Sequence, residues 1–311
     1  MKRVVLLTLA VAAVVHAGVE PQMTVKVGVD LVNVLFTVAD RKGHLVADLA
    51  RQDFLIEEDG RKQEIQFFSR ENELPLTLGL VVDTSPSVRN VFDQERTAAS
   101  RFFGQVMRPK DLAMVIGFDK SVTLFQDFTE DPRLLQRSID SLELGPIMDG
   151  GTSLYDAVYL ATREKLRAET GRKAVILISD GEDTTSKVRD EEALKAVHDA
   201  DTVVYSLAVG GRWPGMRRYR GAALRIGNYG SMKRLSEETG GTFFDIGSRT
   251  ELTEAFARID DELRSQYSIG YVSLNTARDG KYRRIKILPR DATFRIQARK
   301  GYYASKRMDS Q

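Results

Sequence analysis

The chain has no cysteine among its 311 residues. That absence excludes disulfide cross-links, thiolate metal sites and a lipid-modified cysteine, so packing alone must hold the fold together. Histidine is almost as scarce, at three residues: His16, His44 and His198. Neither His44 nor His198 stands beside a nucleophile in a recognisable motif, which leaves little for general acid-base catalysis. No Gly-Lys-Ser phosphate loop occurs, and Gly210-Gly211 is too little to make one. The chain is therefore expected not to be an enzyme. Long apolar runs are missing as well, apart from residues 4–15.

That one run is too short to cross a hydrocarbon core as a helix. Lys2 and Arg3 precede it, and Ala17 closes it in a small-residue context. The pattern predicts a signal peptide cut after Ala17, with an uncleaved anchor as the alternative. A secreted or periplasmic protein with no membrane span follows. Removing residues 1–17 leaves 44 basic against 44 acidic side chains, a balance with no global pull toward nucleic acid or an anionic membrane. Apolar residues at 42% and charged residues at 29% exclude disordered and collagen-like classes. The length favours one full domain with a smaller companion.

Apolar and polar residues alternate over residues 25–38, with a shift of phase near Leu31. This is strand periodicity, and turn chemistry follows at residues 40–43 and at Glu58-Asp59-Gly60. The rhythm then changes. Apolar strands are predicted at 76–82, 112–118, 174–178, 203–209 and 242–246, with an antiparallel neighbour at 122–128. Helices are predicted at 88–107, 134–142, 154–167, 191–200, 231–239 and 252–266. Strands alternating with helices predict a doubly wound α/β domain around a mainly parallel sheet. From Tyr267 the period returns to two, and Asp279-Gly280 is a hairpin signal. Neither flanking set of strands buries much alone, so the two are expected to pack together as one small β-sandwich. The resulting boundaries are 1–17 for the signal peptide, 18–73 for the N-terminal β unit, 74–265 for the α/β domain and 266–311 for the C-terminal strands.

Oxygen donors gather where two of the apolar strands end. The first runs into Asp83-Thr84-Ser85-Pro86-Ser87 and the second into Ser179-Asp180-Gly181, while Gly150-Gly151-Thr152 supplies a further hydroxyl at a helix start. A Mg²⁺ ion takes about six oxygens and usually keeps some waters, so such donors fill part of its shell. In open α/β sheets ligands bind outside the carboxyl ends of strands, where strand order reverses. Taken singly, Asp83 and Ser85 equally suit a helix cap, and Asp180 a turn.

In this order the pieces resemble the metal-ion-dependent adhesion site, or MIDAS, of the von Willebrand factor type A domain: Asp-x-Ser-x-Ser, a distant Thr and a strand-terminal Asp-Gly. The resemblance covers residues 74–265, and with its flanking strands the chain is similar to a secreted bacterial family built around that domain. It implies that Ser85, Ser87 and Thr152 ligate the cation directly, and Asp83 and Asp180 directly or through water. It also implies Mg²⁺, with Mn²⁺ or Ca²⁺ as alternatives, and a protein partner that offers a carboxylate to the open coordination position. A metal-free structural or assembly protein and a Mg²⁺-dependent hydrolase remain the competing functions.

Two further features are candidates beside the ion. The segment after the strand 203–209 carries Arg212, Trp213, Arg217, Arg218, Tyr219, Arg220 and Arg225 with no acid, which suits an acidic partner, or simply a solvated loop. Glu182 and Asp183 either orient the ligands or serve as plain turn residues. Tyr302 and Tyr303 are expected at a packed strand end.

Overall fold

The computed structural model describes residues 31–70, 74–148, 150–210 and 229–306. The first strands are β1 (Leu31–Ala39), β2 (Phe54–Glu58), β3 (Arg61–Gln63) and β4 (Ile65–Arg70). Strand β1 takes up the alternation from Leu31 onward, and residues 18–30 of the predicted β unit lie outside the described residues. Asp40 folds the next turn by accepting the Lys42 and His44 N–H groups at 2.7 and 2.9 Å. Asp59 and Gly60, at φ 47° and 78°, make the tight β2–β3 turn.

The central strands are β5 (Leu76–Asp83), β6 (Leu112–Phe118), β7 (Val122–Thr129), β8 (Arg172–Ser179), β9 (Val203–Ala208) and β10 (Phe243–Asp245). They form one six-stranded sheet in the order β10-β9-β8-β5-β6-β7, parallel except for β7. Strand β5 is buried at all eight positions, which explains its unbroken apolar run: both faces of the sheet are covered. Helices α1 (Phe92–Val106), α2 (Pro132–Asp140) and α6 (Arg249–Arg264) close one face over Leu78, Leu80, Val82, Ile176 and Tyr205. Helices α3 (Leu154–Tyr159), α4 (Asp190–Asp199) and α5 (Gly230–Thr239) close the other over Val81, Met114, Ile116, Val175 and Leu177. The fold is α/β and doubly wound. The helix predicted over 154–167 is not uniform: α3 widens into a π-helical turn at Leu160–Lys165, where the Thr162 hydroxyl bonds back to the Val158 carbonyl at 2.8 Å and competes with the ladder.

The chain ends in β11 (Tyr267–Val272), β12 (Tyr282–Pro289), β13 (Arg295–Ala298) and β14 (Gly301–Tyr303). These interleave with the N-terminal strands in two four-stranded sheets, β13-β1-β11-β4 and β14-β12-β2-β3. Val34, Phe36, Phe54, Ile56, Tyr267, Ile269 and Ile285 fill the sandwich between them. Asp279-Gly280 does not close a hairpin here, because β11 and β12 pair in different sheets. The turn carries the chain across the sandwich instead, since pairing with N-terminal strands buries more apolar surface than a local hairpin would. Inside the sandwich the buried carboxylate of Glu58 accepts the Ser273, Tyr271 and Tyr302 hydroxyls at 2.6, 2.8 and 3.0 Å. Tyr302 thus belongs to the packed end of a strand.

His198 lies where α4 meets β12 and β14. Its buried ring stands edge-on to Tyr282 and Tyr303, and its Nε2 has no hydrogen-bond partner among the described residues. Burial first, then the charge of Arg299, depresses its pKa to about 4, against the opposing pull of Glu238, Asp199 and Asp201. A histidine in the unfolded chain titrates near 6.5, so the unfolded state binds the extra proton between these values. The resulting stability is complete above pH 6.5 and is lost as pH falls toward 4, by roughly 3 kcal/mol in all. Denaturant unfolding of His198→Phe at pH 7 and pH 4.5 is expected to show an acid loss smaller than that of wild type by about 2 kcal/mol, the part of the total that falls in this window; equal losses would refute the assignment.

Candidate metal centre

Strands β5 and β8 are neighbours, yet the chain leaves them toward opposite edges of the sheet. The crevice at their carboxyl ends is therefore the point where strand order reverses. Asp83 is the last residue of β5 and is fully buried. Its Oδ1 accepts the Ser85 N–H at 2.8 Å, and its Oδ2 accepts the Ser179 hydroxyl at 2.6 Å. One carboxylate thus spans both strand ends. Ser85 is buried and Ser87 exposed, with their hydroxyl oxygens 2.8 Å apart. The chain between them stays tight because Pro86 opens a short 3₁₀ turn.

Thr152 arrives from the loop before α3 and is buried. Its N–H donates to the Thr184 hydroxyl at 2.9 Å, and its carbonyl accepts the Thr184 and Thr185 N–H groups at 2.8 and 3.1 Å. This clips it to the loop that follows Asp180. Asp180 is half-buried, and its Oδ1 accepts the Glu182 N–H at 3.1 Å. Gly181, at φ 79°, turns the chain and donates its N–H to the Ser179 hydroxyl at 3.0 Å. The first turn is anchored from both sides, since Thr84 donates to the Phe118 carbonyl at 2.7 Å and accepts the Gly145 N–H at 2.8 Å. Ser153 closes the ring of loops by donating its N–H to the Asp119 carbonyl at 2.7 Å.

Electrostatics mark the same spot. Burial, with the charge of Asp180 nearby, pushes the Asp83 carboxyl up to about 7, against the pull of its hydrogen bonds from Ser179 and Ser85. Two carboxylates held this way repel, and a cation between them removes the penalty. Among the described residues no group of three or more His, Cys, Asp or Glu side chains could hold a metal. The candidate donor set is instead two carboxylates and three hydroxyls, all hard oxygen ligands that suit Mg²⁺, Mn²⁺ or Ca²⁺.

Two participants escape a motif reading. Ser179 links the strand ends through its side chain, and Glu95 of α1 is buried within reach of the charges of Asp83 and Asp180. Glu95 was detectable in principle, because it sits in the apolar stripe of Phe92, Ala99, Phe102 and Val106, where an acid is out of place. Asp183 braces the loop, its Oδ1 accepting the Tyr155 N–H at 3.3 Å and the Ser186 hydroxyl at 2.5 Å. Glu182 lies in the same turn. Ile147 and Met148, 74% and 85% exposed, stand three and two residues before Gly150, where a Cβ would lie 3.7 Å from the Pro86 ring. Arg212, Trp213, Arg217, Arg218, Arg220 and Arg225 lie outside the described residues, as do residues 1–17. No helix among the described residues is long and apolar enough to cross a membrane.

Residues 78–182 match the von Willebrand factor type A domain. No curated protein matches the chain. Among solved structures, proximal thread matrix protein 1 from the mussel byssus, with zinc in its MIDAS motif, is similar over 65% of this chain and 48% of its own. Its identity is 16% and its TM-score 0.50, a likeness of fold. BatB, a conserved hypothetical protein of Bacteroides thetaiotaomicron, is similar over 59% of this chain and 98% of its own, at 20% identity and a TM-score of 0.46. A von Willebrand factor type A protein of Catenulispora acidiphila is similar over 90% of this chain and 74% of its own, at 12% identity and a TM-score of 0.49. With the matched segment running from inside β5 to just past Asp180, the chain carries a von Willebrand factor type A domain.

Proposed function

We propose that this chain is a metal-ion-dependent protein-binding module that works outside the cytoplasm and has no enzymatic step of its own. The observation that supports the reading is that Asp83, at the end of β5, bonds Ser85 and Ser179, with the Ser85 and Ser87 hydroxyls 2.8 Å apart, while Asp180 follows the paired strand β8 and Thr152 is tied by its backbone to the loop after it. Ser85, Ser87 and Thr152 would hold the cation directly, and Asp83 and Asp180 directly or through water. When bound, the cation supplies a positive centre whose open position takes a carboxylate from a protein partner. The zinc in the mussel protein's MIDAS supports a dication at such a site. Exposed Ile147 and Met148, in the stretch that leads to Thr152, would offer a partner apolar contact. The sequence that follows β9, with Arg212, Trp213, Arg217, Arg218 and Arg220 and no acid, would favour an acidic partner.

Calorimetric titration with Mg²⁺ and Mn²⁺ tests the reading. The intact protein is expected to bind one ion per chain, and Asp83→Ala to weaken binding by about 100-fold or more, at or beyond what losing an indirect partner of a ligand costs. An intact protein that binds neither ion would overturn the proposal and leave a metal-free assembly role.

A further inference from the structure

Glu95 is 1% exposed, and neither of its carboxyl oxygens meets a hydrogen-bond partner among the described residues. An acid in that condition is costly, because burial removes water without supplying a donor. Its place in the fold gives the reason. Three successive backbone turns lead from the metal loop to this residue: Val88 donates to the Ser85 carbonyl at 3.3 Å, Val91 to Val88 at 2.9 Å and Glu95 to Val91 at 3.0 Å. The side chain lies on the buried side of α1, among Phe92, Ala99 and Phe102. After burial, the charges that press its carboxyl well above the usual range are those of Asp83 and Asp180, and no basic group among the described residues offsets them.

A buried, unpartnered carboxyl on which the charges of two candidate ligand carboxylates act lacks a hydrogen-bond donor, and a hydrated dication brings donors of that kind, since it retains part of its water shell. We propose that Glu95 is a positioning residue of the metal centre, accepting hydrogen bonds from water held by the cation and so fixing that water against Asp83 and Asp180. This rests on the metal reading above. It adds a third acid that touches no metal directly and that the Asp-x-Ser-x-Ser pattern does not contain. Partners of this indirect kind are typically worth about 10-fold to 100-fold in metal affinity.

The test is Mg²⁺ titration of wild type, Glu95→Gln and Glu95→Leu, with thermal unfolding of each in chelator and in saturating Mg²⁺. Glu95→Gln is expected to lower Mg²⁺ affinity by about tenfold, and Glu95→Leu by more. In chelator both variants should melt at or above the wild-type temperature, because each removes an unpaired acid from a crowded negative site; the Mg²⁺-induced rise in melting temperature should shrink in both. A purely structural role predicts the opposite pattern, with lower melting in chelator and unchanged affinity. Wild-type affinity in Glu95→Gln would overturn this inference alone, whereas a wild type that binds no metal would remove the site and the inference with it.

Discussion

Replacing Gly241 with alanine is expected to destabilise the protein by about 4 kcal/mol, at the upper end of what single substitutions do. A Cβ at this position would stand 2.0 Å from the Val204 carbonyl oxygen and 2.7 Å from the Val204 carbonyl carbon. Both belong to the backbone of β9, so no side-chain rotation relieves the clash. Nor does the residue have room to retreat. Its N–H is bound to the Ser236 carbonyl at the end of α5, and the preceding Gly240, at φ 88°, lies against the backbone of Ala298 and Arg299. The two glycines thread the chain between the central sheet and the sandwich. Gly43→Ala is the control: its φ of 86° is positive, unlike that of Gly241, but its Cβ would meet nothing within 4 Å. It should cost only about 1 kcal/mol of backbone preference. Denaturant midpoints decide between them, and a Gly241→Ala cost no greater than that of Gly43→Ala would show that the close approach is not real.

The central sheet was legible because burial on both faces writes itself as unbroken apolar runs. Residues 112–118 and 174–178 read as strands from their side chains alone and fall within β6 and β8. The sandwich was legible as a need, two strand sets that each lacked a partner, but its pairing was not. Asp279-Gly280 has the chemistry of a two-residue turn, and local chemistry does not reveal that β11 and β12 find better partners in β1 and β2. Long-range burial overrode a short-range signal. The uneven α3 is similar, since apolar spacing over 154–167 is nearly the same for an α-helix and for one with a wide turn.

At the candidate site, residues that carry a motif were visible and residues that serve it were not. Asp83, Ser85 and Ser87 are spaced by a turn and Asp180 stands at a strand end, so position along the chain already implies one edge of the sheet. Ser179 looks like an ordinary strand-terminal serine until its hydroxyl is seen on Asp83. Glu95 reads as one more helix acid in a chain where acids and bases nearly balance. Its place in the apolar stripe of α1 is the one sequence signal that separates it from Asp93, its exposed neighbour in the same turn, and its burial without a partner is what gives that signal meaning.

Glu262→Ala is expected to cost about 4 kcal/mol, because it strips a buried charge from partners on three segments of the chain. The carboxylate is 1% exposed near the end of α6. It accepts Arg258 Nε at 2.8 Å, the Thr242 hydroxyl at 3.0 and 3.1 Å, and Gln297 Nε2 at 3.1 Å. Arg258 reaches on to the Gly43 carbonyl at 2.8 Å, and Gln297 Nε2 to the Gly240 carbonyl at 3.2 Å. One acid therefore joins α6, the entry to β10 and sandwich strand β13. Truncating it leaves two neutral donors and a guanidinium short of an acceptor, which costs more than the pair itself contributes. Glu262→Gln keeps the volume and one acceptor, so it should cost less than half as much. The network also predicts coupling: Gln297→Leu alone removes the donor to Glu262, and once Glu262 is alanine that donor has already lost this one of its acceptors. A double-mutant cycle on Glu262→Ala and Gln297→Leu should show a joint cost about 1 kcal/mol or more below the sum. Strict additivity would mean that α6 and β13 are held together by packing rather than through this carboxylate.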